Sequence, residues 1–248
     1  ANTTAAGNTA IGFQALLVNT TGATNVAVGT SALTANTEGT GNVAVGRKAM
    51  LDHTTGDYNT AVGISALENN TTADNNTAIG KSALKTNTTG TENTAVGTEA
   101  LNANVTGSYN TAVGMSAMIL NTGDHNTAMG RIALNRNTSG DNNTALGSRA
   151  LYTATTADNN TAIGYNALTA NTTGASNVAV GATALAANTT GTGNHAFGYQ
   201  SLNAVVTNSY NTAVGFQSML LNTGEHNTAM GSIALNRNTS GINNAAFG

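Results

Sequence analysis

Residues 93–97 read Asn-Thr-Ala-Val-Gly, and the same five residues return at 110–114. With limited variation the pentapeptide occurs fifteen times, closing on Gly12, Gly29, Gly46, Gly63, Gly80, Gly97, Gly114, Gly130, Gly147, Gly164, Gly181, Gly198, Gly215, Gly231 and Gly248. Neighbouring copies lie 17 residues apart except at 114 to 130 and 215 to 231, where the interval is 16. The missing residue falls in Asn121-Thr122-Gly123 and Asn222-Thr223-Gly224, turn sequences where a deletion is best tolerated. Above this lies a second order of repetition: residues 121–143 recur almost unchanged at 222–244, an offset of 101 residues that equals six coils. A fixed short period of this kind marks a repeat architecture in which each unit stacks on the one before.

Within the pentapeptide the Asn, the Ala and the Gly are the same in all fifteen copies. The second position is mostly Thr, and the fourth is always apolar but varies in size, as in Val28, Ile79, Met129, Leu146 and Phe197. Alternation with period 2 is the pattern of a strand with two different faces. The face restricted to Asn, Ala and Gly reads as one approached closely by another copy, and the variable apolar face reads as the core. Pairs such as Ala15-Leu16, Ala66-Leu67 and Ala184-Leu185 supply a second apolar row, with Met50, Met118 and Met219 as volume-conserving replacements. Asn-Thr-Thr-Gly reads as the turn between them.

A helical reading fails, because Thr, Asn and Gly are weak helix formers and no apolar stripe of period 3.6 persists. Parallel strands need a connection of about a dozen residues, and 12 residues separate consecutive 17-spaced pentapeptides. The sequence therefore predicts an all-β parallel β-solenoid of about fifteen coils, running as one repetitive domain over residues 1–248. Asn25, Ala27, Gly29, Asn59, Ala61, Gly63, Asn110, Ala112 and Gly114 represent its expected structural ladders. Because the chain opens inside a repeat at Ala1 and closes on a motif glycine, it reads as a segment of a longer polypeptide.

Composition narrows the function classes. Charged residues make up 8% of the chain and aromatics 4%, with no Trp, Cys or Pro. Without Cys there are no disulfides or thiolate metal sites, and without Pro every backbone N–H is free to join a ladder. A net charge of −3, gathered in no block, gives no electrostatic footprint for nucleic acid or anionic membrane, and no run of apolar residues is long enough to cross a bilayer as a helix. Each coil offers only about two large apolar side chains. Burial within one chain falls short, and self-association of the small-residue face, as a homotrimer or a filament, is expected to supply part of the difference.

The pentapeptide is similar to the Asn-Ser-Val-Ala-Ile-Gly signature of YadA-like trimeric autotransporter adhesin heads, and to repeat regions that precede the chaperone domains of phage-type tail fibres. The resemblance spans the whole chain at the level of the repeat, although the coil here is longer by its Asn-Thr-Thr-Gly turn. It implies a left-handed β-roll, a trimeric assembly, and a place on a cell or virion surface.

Other motifs weigh less. His53, His125, His195 and His226 have no partners at metal-ligand spacing and read as surface turn residues. Gly39-x-Gly41-x-x-Ala44 and Gly191-x-Gly193-x-x-Ala196 match a dinucleotide fingerprint only formally, since no helix is predicted after them. Asp74, Asp141 and Asp158 read as solvated acids rather than calcium ligands, and Arg47, Lys48, Lys81 and Arg136 as isolated solvent contacts. Thr20-Thr21, Thr88-Thr89, Thr172-Thr173 and Thr189-Thr190 form rows that would suit an ice- or crystalline-surface-binding solenoid, with a polar turn as the plainer reading. The expectation is a structural, non-catalytic extracellular fibre or adhesin segment without cofactor or metal, which presents attachment surfaces to a surface glycan or host receptor.

Overall fold

A computed structural model describes residues 4–248 of the chain. It is a parallel β-solenoid with a repeat of about 17 residues and, among the described residues, no α-helix. Two compact units are formed, Ala1–Asp124 and His125–Gly248. The first carries β1 (Thr9–Ile11), β2 (Val26–Val28), β3 (Val43–Val45), β4 (Thr60–Val62), β5 (Thr77–Ile79), β6 (Thr94–Val96) and β7 (Thr111–Val113). The second carries β8 (Thr127–Met129), β9 (Thr144–Leu146), β10 (Thr161–Ile163), β11 (Val178–Val180), β12 (His195–Phe197), β13 (Thr212–Val214), β14 (Thr228–Met230) and β15 (Ala245–Phe247). Within each unit every strand pairs in parallel with the strand one coil away. Alanine lies opposite alanine, as in Ala61↔Ala78 and Ala162↔Ala179. The register survives the 16-residue interval between β13 and β14, where Ala213 meets Ala229.

The strands are short because the glycine after each one turns the chain sharply. Gly97 has φ +133°, and a Cβ there would stand 2.7 Å from the carbonyl carbon of Gly114 in the next coil. Both conformation and stacking distance exclude any other residue, which accounts for the invariance of this position. Three further corners per coil use left-handed backbone. In the coil after β6 these are Glu99 (φ 59°), Leu101 (φ 50°) and Tyr109 (φ 60°). Left-handed backbone costs non-glycine residues roughly 1–2 kcal/mol each, so the corners must be held by their neighbours. The backbone ladder does this by continuing around them: Leu84 N–H donates to Ala100 O at 2.9 Å, Thr88 N–H to Val105 O at 2.9 Å and Tyr109 N–H to Thr91 O at 3.0 Å.

The interior is narrow. In the first unit Leu33, Met50, Leu67, Leu84, Leu101 and Met118 form a fully buried row, and the second unit repeats it with Leu134, Leu151, Leu168, Leu185, Leu202 and Met219. Opposite them lie the strand alanines, including Ala27, Ala61 and Ala112, all at 0% exposure. This reverses the expected assignment of the strand faces. The Asn/Ala/Gly face points into the coil, while the variable apolar face points out, with Ile79 at 42%, Met129 at 43%, Leu146 at 43% and Phe197 at 41% exposed. The leucine or methionine of each coil already fills the space between the walls, and only a methyl group fits across from it. Close approach to the small face is therefore made by the chain itself, and that face is not open to a second copy.

Two buried rows of asparagine complete the interior. In one, which includes Asn25, Asn59 and Asn110, the amide Nδ2–H of Asn25 donates to Gly39 O at 2.7 Å while its Oδ1 accepts the backbone N–H of Asn42 at 2.8 Å. Each such residue ties a strand to the coil that follows, which explains why no substitute occurs. In the other row Asn87 donates to Asn70 Oδ1 at 2.9 Å and to its own turn at Gly90 O at 2.8 Å. Aligned amides of this kind satisfy one another along a stack. In the shortened turns the second bond spans one residue fewer, from Asn121 to Gly123 O at 2.8 Å and from Asn222 to Gly224 O at 2.9 Å.

Candidate interaction face

The outward side of the strands carries two parallel columns of side chains. One is mainly threonine: Thr60, Thr77, Thr94 and Thr111 in the first unit, Thr127, Thr144 and Thr161 in the second. The other holds the variable apolar residues. Neither column contains a Lys, Arg, Asp or Glu. Two residues beyond the apolar column, on the far side of the strand glycine, some coils expose a further large apolar residue, with Ile64 at 44% and Met115 at 45% in the first unit, while others carry Arg47, Lys81 or Arg131 at that place. In the second, Tyr165 is 56% exposed, and Tyr199 stacks on Phe216 with ring centroids 5.6 Å apart. The apolar column of the strands is the feature that continues from coil to coil on this side, and aligned exposed apolar residues are characteristic of interaction surfaces. It is the second face of the alternating pattern, whose apolar character alone reads in the sequence as a core.

The remaining motifs have settled structural roles. His125, His195 and His226 are exposed, and the His226 ring stacks on Tyr210 with centroids 5.1 Å apart. His53 differs from its expected surface position, because it is fully buried in an asparagine row. Its Nε2 lies 2.7 Å from Gly56 O, and its Nδ1 lies 2.9 Å from Asn70 Nδ2. The carbonyl requires a donor and the amide an acceptor, so the ring is neutral with its proton on Nε2. Burial holds its pKa below the usual histidine value, against smaller opposing effects from the bonds at Gly56 and Asn70 and the carboxylates of Asp74 and Asp57.

The acids of the turn are also part of the ladder. Asp57 Oδ1 accepts the Thr40 N–H at 2.7 Å, Asp74 Oδ1 the Asp57 N–H at 2.7 Å, and Asp158 Oδ1 the Asp141 N–H at 2.8 Å. Among the described residues no group of three or more His, Cys, Asp or Glu is placed to hold a metal ion. Lys48 is not isolated, since Glu68 lies 3.6 Å from it and 3.5 Å from Lys85. Nor is Arg136, which packs over the Tyr152 ring at 5.1 Å. Gly39 and Gly191 lie in turns and Ala44 and Ala196 in strands, so the formal dinucleotide fingerprint lacks its helix. The first threonine of each turn pair donates its hydroxyl to the next coil, as Thr20 does to Thr37 O at 2.9 Å and Thr172 to Thr189 O at 3.0 Å. The second, as at Thr21 and Thr173, is exposed.

No family model, curated protein or solved structure matches the chain. Among the described residues no helix is long and apolar enough to cross a membrane.

Proposed function

We propose that the chain is a structural segment of an extracellular fibre or adhesin, which self-associates as a homotrimer through its outward threonine and apolar columns and has no catalytic role. The observation that carries this reading is the exposed apolar column, free of Lys, Arg, Asp and Glu, on the outer side of the strands. Three narrow strips facing a common axis each meet two neighbours, a closed arrangement that leaves no strip unpaired. The likeness of the pentapeptide to trimeric adhesin heads and tail-fibre repeats supports a cell or virion surface as its location. Corners and turn residues facing away from such an axis stay free to present attachment surfaces to a glycan or receptor. Ice or crystal binding by the turn threonines has less support, since the first hydroxyl of each pair is already engaged in the ladder.

Light scattering coupled to size-exclusion chromatography tests the assembly. The expected mass is three times the 24.7 kDa of the chain. Replacing Val96 and Val113 by lysine on the outer column is expected to give a folded monomer. A wild-type chain that stays monomeric at high concentration would refute the proposal.

A further inference from the structure

Positive charge gathers at one corner of the second unit. Arg136 and Arg149 lie over the ring of Tyr152, 5.1 and 5.2 Å from its centroid. Their guanidinium carbons are thus no more than about 10 Å apart, a distance comparable to the screening length at 0.1 M salt. Arg131 joins them from the preceding coil, where its carbonyl accepts the Arg149 N–H at 3.2 Å. All three arginines are exposed, and among the described residues none has an acidic partner. Lys48 and Lys85 of the first unit contrast with them, because the two share Glu68. Like charges held together with only an aromatic ring between them create a local positive potential that an anion would relieve. Guanidinium forks suit carboxylate and sulfate groups in particular.

Two neighbours point to the kind of anion. Asn166 follows Arg149 in the same column one coil on, and its Oδ1 is buried without a hydrogen-bond partner. The amide could turn outward to accept a hydroxyl, a group that a bare anion lacks. Next to it Tyr165 exposes 56% of its surface, a flat apolar face of the kind on which sugar rings rest. The patch is also short. In the following coils the columns of Arg149 and Arg136 continue with Asn166, Thr183, Thr153 and Ala170, so the continuous basic track a nucleic acid needs is missing.

We infer that Arg131, Arg136 and Arg149, with Tyr165 and Asn166, form a binding site for an acidic saccharide bearing carboxylate or sulfate groups. This rests on the attachment role proposed above and gives it a ligand class. Isothermal titration of the full chain with a sulfated uronate-containing hexasaccharide, and with its desulfated, carboxyl-reduced form, tests the inference. Binding of the acidic form only is expected, with the dissociation constant raised at least tenfold in an Arg136→Gln/Arg149→Gln variant. An Arg47→Gln/Lys81→Gln variant, which loses the same charge in the first unit, should bind as the wild type does. Equal binding of the neutral sugar, equal loss in the control variant, or tighter binding of an oligonucleotide of matched charge would each overturn the inference. The arginines are exposed, so circular dichroism and the oligomeric mass should be unchanged in both variants. An intact trimer without saccharide binding therefore defeats the ligand assignment and leaves the assembly standing.

Discussion

Asn36 has a buried Oδ1 without a donor because the residue after it in its row is His53. An asparagine at that place would give one amide hydrogen to Asn36 and the other to Gly56 O. The neutral imidazole has a single N–H, and Gly56 takes it. Asn188 is left in the same condition by Val205, which has nothing to donate. An unsatisfied buried polar atom costs about 1–3 kcal/mol, so His53→Asn is expected to raise stability by about that much in urea unfolding at pH 7.5. It should also remove an acid sensitivity. The folded-state pKa of His53 is lowered, so its contribution is complete above the unfolded value of 6.5. Below that pH the unfolded chain takes up a proton that the folded chain resists, and stability declines as pH falls toward the lower folded-state pKa. The variant should lose less stability between pH 7.5 and 5.5 than the wild type. An unchanged difference between the two pH values would show that His53 is not the group responsible.

At the scale of the coil, the interior and the outer side should respond to substitution in opposite ways. Leu84 is fully buried and Ile79 is 42% exposed. Leu84→Lys places an unpaired charge in the interior and is expected to abolish the β-rich circular dichroism spectrum. Ile79→Lys should leave the spectrum unchanged and lower the oligomeric mass. Turn length is forgiving by comparison. A threonine inserted after Thr223 restores the 17-residue interval and should alter the urea midpoint by no more than about 0.5 kcal/mol equivalent. Deletion of Ala213 from β13 shifts the register by one, turns the strand faces over and should unfold neighbouring coils. The coil itself was legible in the sequence because spacing between identical pentapeptides fixes which strands are neighbours. Which face is inside was not legible from alternation alone. It depends on coil width, and that is set by left-handed corners at residues such as Leu101 and Glu99, types that do not advertise positive φ as Asn75 or Gly41 do. The burial of His53 was hidden for a related reason. Its row is recognised only once the turn asparagines are known to point inward.

Across the whole molecule charge is unevenly shared. Residues 1–124 hold eight acids and four bases, whereas residues 125–248 hold three acids and four bases. The outward columns proposed for self-association carry none of these charges. Assembly is therefore expected to persist in 0.5 M sodium chloride, while saccharide binding at the arginine corner should weaken steeply. Light scattering and titration calorimetry at two salt concentrations would separate the two. Assembly should also make the melting temperature rise with protein concentration. The buried amides bear on how such a chain can lengthen. In each row the Nδ2 of one residue reaches back to the Oδ1 of the residue a coil earlier, from Asn36 to Asn19 in the turn row and from Asn59 to Asn42 in the strand row. Every link thus carries an arrow, and all the arrows agree. A block joined head to head would set amide hydrogens against each other at the seam, so growth by copying is restricted to tandem insertion of complete windings in one sense, the form taken by the repeated block at 222–244.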